Sequence, residues 1–121
     1  MKEYKLTEME AKFADLIWAK EPILSGELVR LCQLEFEWKK STTYTMLKRL
    51  EKKGIFKNNN GVVKSLITKD DFYAEQSKQF VEKTFGGSLP KFLAAFTRSK
   101  KISDSEIEEL QKLINQHREE E

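Results

Sequence analysis

The segment WKKSTTYTMLKRLEKKGIFKNNNGVVKSLITK, Trp38 to Lys69, decides how this chain is read. Its first half places Met46, Leu47 and Leu50 at helical spacing and stops at Gly54, a residue that accepts the left-handed backbone found just past helix ends. Ser41, Thr42 and Thr43 offer N-caps ahead of that stripe, so a helix is expected over roughly 42 to 53. The second half holds two β-prone runs, Ile55-Phe56-Lys57 and Val62 to Ile67, joined by Asn58-Asn59-Asn60-Gly61, which tolerates the positive φ of a hairpin turn. Nine bases (Lys39, Lys40, Lys48, Arg49, Lys52, Lys53, Lys57, Lys64 and Lys69) face a single acid, Glu51, for a net charge of +8. A helix and hairpin this basic carry the electrostatic footprint of a protein that lies against phosphates, and they point to a nucleic-acid reader.

Upstream, Thr7 and Glu10 have the spacing of a capping box, and Met9, Phe13, Leu16 and Ile17 follow at helical spacing until Glu21-Pro22. A first helix is expected over 7 to 20. Pro22-Ile23-Leu24 reads as a brief extended segment, and Ser25 as the N-cap of a second helix that turns Leu28, Leu31 and Cys32 inward and runs to about Leu34. Three helices and a hairpin make a winged helix-turn-helix. Downstream of Asp70 the strand signal disappears. Phe72, Tyr73, Phe80, Val81 and Phe85 suggest a helix ending at Gly86-Gly87, then come Leu89, Phe92, Leu93 and Phe96. Ser103 and Glu106 form a second capping box before Ile107, Leu110, Leu113 and Ile114. The expected fold is mainly α with a small β-hairpin: a winged-helix DNA-binding domain over 1–71 and a three-helix dimerisation domain over 72–121. About 50 residues in three short helices cannot enclose so many Phe and Leu side chains, so a second copy is expected to supply the missing wall.

Charge is segregated along the chain. Residues 1 to 37 carry five bases and eight acids, and residues 70 to 121 carry eight bases and eleven acids, so both flanks are −3 and the basic surface is confined to the middle. With one cysteine, Cys32, and one histidine, His117, the chain cannot form an internal disulfide or a Cys/His metal cage. No Ser/His/Asp or Cys/His set and no Gly-rich phosphate loop is present, so neither catalysis nor a cofactor is expected. Met1-Lys2-Glu3-Tyr4-Lys5 lacks the apolar run of a signal peptide, and no run of about 20 apolar residues occurs, which fits a soluble, cytoplasmic protein without membrane insertion.

In a helix-turn-helix the first turns of the second helix of the motif enter the major groove. Those turns hold Ser41, Thr42, Tyr44 and Thr45. Positions 41, 44, 45 and 48 lie opposite Met46, Leu47 and Leu50, so Lys48 joins an exposed row with Arg49 at its edge. Hydroxyls there can bond bases or phosphates, and Thr methyls can contact thymine; the competing role for the Ser/Thr cluster is helix capping alone. Lys52, Lys53, Lys57 and Lys64 flank the helix end and hairpin where a wing would track the backbone, or else form a solvated face. Trp38 can stack on a nucleotide or pack as core, with core favoured, whereas Tyr44 is expected to face outward. Cys32 reads as a small core hydrophobe, with redox sensing as the alternative, and His117 as a solvent-facing residue at a helix end.

Leu6-Thr7-x-x-Glu10, Ile17-Trp18 and the run Ser41 to Gly54 closely resemble the penicillinase-repressor family, which includes the methicillin-resistance and copper-responsive repressors. Phe85-Gly86-Gly87-Ser88-Leu89 and Ser103 to Leu110 resemble that family's dimerisation region, so the likeness covers nearly the whole chain. The resemblance implies a homodimer that binds a near-palindromic DNA operator and blocks transcription. It also implies dimer contacts through Phe80, Phe85, Leu89, Phe92, Leu93, Phe96, Ile107, Leu110, Leu113 and Ile114. In the β-lactam branch of the family a membrane-bound sensor metalloprotease leads to cleavage of an Asn-Phe bond. The matching bond here is Ala95-Phe96, with Ala in place of Asn. The paired Cys motifs of the copper branch are absent, and Ser65 stands where relatives often carry an aromatic residue. The competing reading is a protein-interaction adaptor that uses the winged helix as a scaffold.

Overall fold

The computed structural model describes residues 3–120; Met1 and Lys2, part of the start expected to lack a signal run, and Glu121 lie outside the described residues. The first helix, α1 (Glu8–Lys20), begins at the expected capping box: Thr7 Oγ1 accepts from the Glu10 amide at 3.1 Å, and the Glu10 carboxylate accepts from the Thr7 amide at 2.9 Å. Its inner face buries Phe13, Ala14 and Ile17. Beyond Pro22 the short strand β1 (Ile23–Leu24) leads directly into α2 (Ser25–Phe36). The N-cap of α2 is Leu24, without a side-chain cap, so Ser25 is the first helical residue and not the cap. Ser25 is drawn into the helix by other bonds: its amide donates to Gly61 O at 2.8 Å, and its hydroxyl accepts from Tyr44. The helix also runs two residues past Leu34, to Phe36, and ends on Glu37 in the left-handed region at φ 57°.

The reading-helix candidate is α3 (Lys40–Lys52), starting two residues before the expected position, with Thr43, Met46, Leu47 and Leu50 buried. Lys53 caps its end, and Gly54 follows at φ 77°. Strands β2 (Phe56–Asn59) and β3 (Val62–Ser65) form the hairpin. The turn is tighter than the four residues expected from sequence. Asn58 and Asn59 pair with Val63 and Val62, leaving only Asn60 and Gly61 between the strands, at φ 53° and 86°. Positive φ at both central positions is what the hairpin twist of a type I′ turn demands, and Asn-Gly supplies it at low steric cost. The extended segment at residues 23–24 also joins the sheet, giving a three-stranded antiparallel sheet in the order β1-β3-β2.

Three more helices follow: α4 (Lys69–Phe85), α5 (Leu89–Ser99) and α6 (Asp104–Glu119). Gly86 and Gly87, both at positive φ, end α4; Ser88 caps α5, and the Ser103/Glu106 capping box opens α6 as expected. The expected division after residue 71 falls inside α4. By packing, one compact unit runs through Phe80 and a second begins at Val81. The position of Phe72 explains this: it is fully buried, with its ring centroid 5.7 Å from Trp18 and 5.5 Å from Tyr4. The Trp18 indole donates to Ile67 O at 3.1 Å, tying α1 to the chain leading into α4. Burying a Phe of this kind contributes roughly 1.5–3 kcal/mol, enough to hold the first turn of α4 in the first unit.

Candidate nucleic-acid interface

The buried stripe of α3 dictates which of its side chains reach solvent. With Thr43, Met46, Leu47 and Leu50 turned into the core, Ser41, Thr45, Lys48 and Arg49 are exposed and Thr42 is half-buried. This outward row carries hydroxyls and cations and no carboxylate. Arg49 lies at its edge, with Nη1 3.6 Å from Met46 Sδ.

Tyr44 differs from the expectation of an outward side chain. Its ring is half-buried against the core, and its hydroxyl donates to Ser25 Oγ at 3.2 Å. Because the same Ser25 donates its amide to Gly61 in the wing turn, one serine joins α3, the start of α2 and the hairpin. Lys53 also has work within the fold. Its Nζ sits 2.8 Å from Glu10 Oε1 and 3.1 Å from Lys5 O, pinning the end of α3 to the start of α1. Glu10 is only 2% exposed, and burial raises its carboxyl pKa. The Lys53 ammonium and the Thr7 hydrogen bonds outweigh that cost and hold the pKa below the ordinary value. Helix α3 is therefore held in its second turn and at its end by polar contacts between residues 19 and 43 positions apart. No local pattern announces either contact.

The wing carries Lys57 and Lys64 directly opposite each other in the β2–β3 ladder, both exposed. The main-chain turn is braced by acceptors of its own: Asn58 Oδ1 takes the Gly61 amide at 3.0 Å, and Glu51 takes the Asn58 amide at 3.3 Å. Trp38 packs as core, 5.3 Å from Phe13 and 4.8 Å from Phe36 by ring centroids. Cys32 is fully buried, and desolvation pushes its thiol up to about 11. Such a thiol is inert at neutral pH, consistent with a core residue.

The penicillinase repressor family model matches residues 6–116. The chain belongs to the penicillinase-repressor family. Relatives include the methicillin resistance regulatory protein MecI of Staphylococcus aureus strain Mu50, 29% identical over 118 residues that cover 94% of this chain and 96% of the relative. The penicillinase repressor of Staphylococcus aureus is also 29% identical, covering 94% of each chain, and that of Bacillus licheniformis is 25% identical, covering 94% and 92%. Penicillinase-repressor family members are transcriptional repressors and not enzymes. Among the described residues no helix is long and apolar enough to cross a membrane.

Ser65 donates both its amide (2.8 Å) and its hydroxyl (2.7 Å) to Glu21 Oε1, a polar clasp between the end of β3 and the residue that follows α1. Ala95 and Phe96 lie within α5, both exposed. The second unit is short of core throughout: none of the residues of α5 or α6 is buried. Leu89 and Leu113 are each 62% exposed, and Leu93, Phe96, Ile107 and Ile114 are also exposed. Phe85, Phe92 and Leu110 are half-buried, with Phe92 5.6 Å from Phe85 and 6.1 Å from Phe96 by ring centroids, and Phe80 is exposed at the end of the first unit.

Proposed function

We propose that this repressor acts as a homodimer that binds a near-palindromic double-stranded operator, reading bases with α3 and gripping phosphate with the wing. The observation that carries this reading is the exposed row Ser41, Thr45, Lys48 and Arg49 on a helix whose opposite face is buried. In this arrangement the hydroxyls and cations can reach base edges and phosphates, while Tyr44 and Lys53 hold the helix in place. Thr42 lies at the edge of the row. Lys57 and Lys64 supply the wing's phosphate contacts.

Dimerisation through the second unit accounts for its uncovered apolar side chains, since a lone copy leaves Leu89, Phe96 and Leu113 in water. With two heads joined, the second binding event becomes intramolecular, and separating them lowers occupancy by about 10²-fold or more. Loss of the dimer is then sufficient to release the operator. Cleavage of Ala95-Phe96 by a membrane-bound sensor metalloprotease is one route to that loss, because the cut detaches Phe96 and α6 from Phe92 and Leu93. A gel shift against the chain's own promoter region, with Lys48→Ala and Arg49→Ala as controls, tests the reading. Sequence-selective binding that both substitutions weaken is expected, and binding without preference for that region over random duplex refutes it. Co-expression with the sensor protease is expected to yield fragments ending at Ala95 and beginning at Phe96; an intact chain under induction removes that route.

A further inference from the structure

Asn60 and Gly61 form the tip of the hairpin, between the paired strands β2 and β3, at φ 53° and 86°. Asn60 is exposed, and among the described residues no hydrogen bond holds its carboxamide. Gly61 follows without a Cβ to shield its nitrogen, so that nitrogen can approach the Asn60 side-chain carbonyl carbon. One bond restrains it: the Gly61 amide donates to Asn58 Oδ1 at 3.0 Å. The other asparagines, Asn58, Asn59 and Asn115, lack this setting. Asn58 and Asn59 lie in the β2 ladder and precede residues that carry side chains, and Asn115 precedes Gln116 inside α6.

We propose that Asn60-Gly61 is a self-acting modification site, where deamidation at the hairpin tip unties the hairpin from α2 and α3. The Gly61 nitrogen bonds to the Asn60 side-chain carbonyl carbon, the carbon–nitrogen bond of the carboxamide breaks, and the Gly61 proton leaves with the departing ammonia. Water then opens the cyclic imide at either carbonyl, giving aspartate or isoaspartate. Overall the chain consumes one water and releases one ammonia, with no change of oxidation state. Asn58 is the guard, because the reaction must first free the Gly61 amide from it. The isoaspartate product routes the main chain through the former side chain and so adds a methylene to a turn whose type I′ geometry has no room for one. That turn is a structural joint: Gly61 O accepts the Ser25 amide at 2.8 Å, and Ser25 Oγ accepts from Tyr44 of α3 at 3.2 Å. Distorting Gly61 therefore disturbs the same serine that holds the helix. The chemistry stands apart from DNA, and only its effect on affinity rests on the operator-binding reading.

The test ages the full chain in warm, mildly alkaline buffer and maps its peptides by mass spectrometry. Asn60 is expected to show the amide-to-acid mass change, with the isoaspartate fraction accepting methyl label from an isoaspartyl methyltransferase and S-adenosylmethionine. Asn58, Asn59 and Asn115 are expected to stay intact. An Asn60 that outlasts its assay as long as Asn115 does overturns the proposal. Asn58→Ala is expected to speed the reaction by about fivefold, the factor that corresponds to one ordinary hydrogen bond, and an unchanged rate removes Asn58 as the guard. Asn60→Gly keeps a residue suited to the left-handed turn but cannot deamidate, so it is expected to take no label. On operator duplex, aged wild type is expected to bind about fivefold more weakly than fresh protein, while aged Asn60→Gly keeps its starting affinity. Equal retention by both after Asn60 has reacted overturns the untying of the hairpin. Failure of the operator reading looks different: there fresh wild type shows no preference for operator over random duplex, while the mass change at Asn60 still appears.

Discussion

The unit through Phe80 and the unit from Val81 spend similar side chains in opposite ways. The first encloses Phe13, Leu28, Leu50, Phe56 and Phe72 completely, around a sheet and three helices that cross-link through Trp18, Tyr44 and Lys53. The second sets Leu89, Phe96 and Leu113 on two capped helices without one fully buried residue. Both have sound local structure, with the same Ser/Thr-x-x-Glu capping box at a helix start in each. Helix-start signals act within one turn and are indifferent to what the far face meets, so good capping says nothing about whether a segment can stand alone.

The sharpest way to break the contrast is to cut a ring from each unit. Phe56→Ala is expected to lower the unfolding free energy of the first unit by about 3–5 kcal/mol in urea titration, since a fully buried ring leaves a cavity. A loss under 1 kcal/mol would mean that this core is looser than its burial implies. Phe96→Asp is expected to leave the melting of the first unit unchanged while raising the dimer dissociation constant by about 10²-fold, measured by sedimentation. A monodisperse dimer with undiminished operator affinity would remove the second unit from the assembly. A smaller effect separates the polar pins of the first unit from its apolar core. Glu10→Gln is expected to cost about 1–2 kcal/mol at neutral pH by weakening the Lys53 contact, which is partly open to water.

The pH dependence of that contact has a defined sign. Glu10 titrates lower in the folded chain than in the unfolded one, so its contribution is complete above the unfolded value and fades as pH falls through the folded value. Acid titration of stability should therefore be flatter for Glu10→Gln than for wild type, and identical acid profiles would assign the dependence to other carboxylates. The least perturbing probe is Cys32. A thiol reagent at neutral pH is expected to find no reactive group in the native chain and one per chain after denaturation, because burial holds the thiol at about 11. Prompt labelling of native protein would show that the α2–α3 contact opens readily.

Much of this architecture was legible because its causes are local. Thr7 with Glu10, Ser103 with Glu106, the Met46-Leu47-Leu50 stripe and Gly54 each act within a turn or two, and each element appears where those residues place it. Ser25 misled for the opposite reason. A serine before an apolar stripe is a good cap by local rules, yet its hydroxyl and amide are claimed by Tyr44 and Gly61, which arrive from distant parts of the chain. Lys53 shows the same limit in the candidate interface: within a basic run it resembles its neighbours, and only the approach of Glu10 separates a pin from a surface cation.

Periodicity, capping and charge are properties of neighbouring residues, and they were enough to fix the order of helices and hairpin, the confinement of net positive charge to residues 38–69, and the polar row on α3. That Tyr44 and Lys53 are held by groups elsewhere in the fold, that the 23–24 segment becomes a third strand, and that Phe72 joins the core of the first unit emerged only from long-range packing. Those outcomes depend on which distant groups meet and exclude water, and that is settled only when the chain closes on itself.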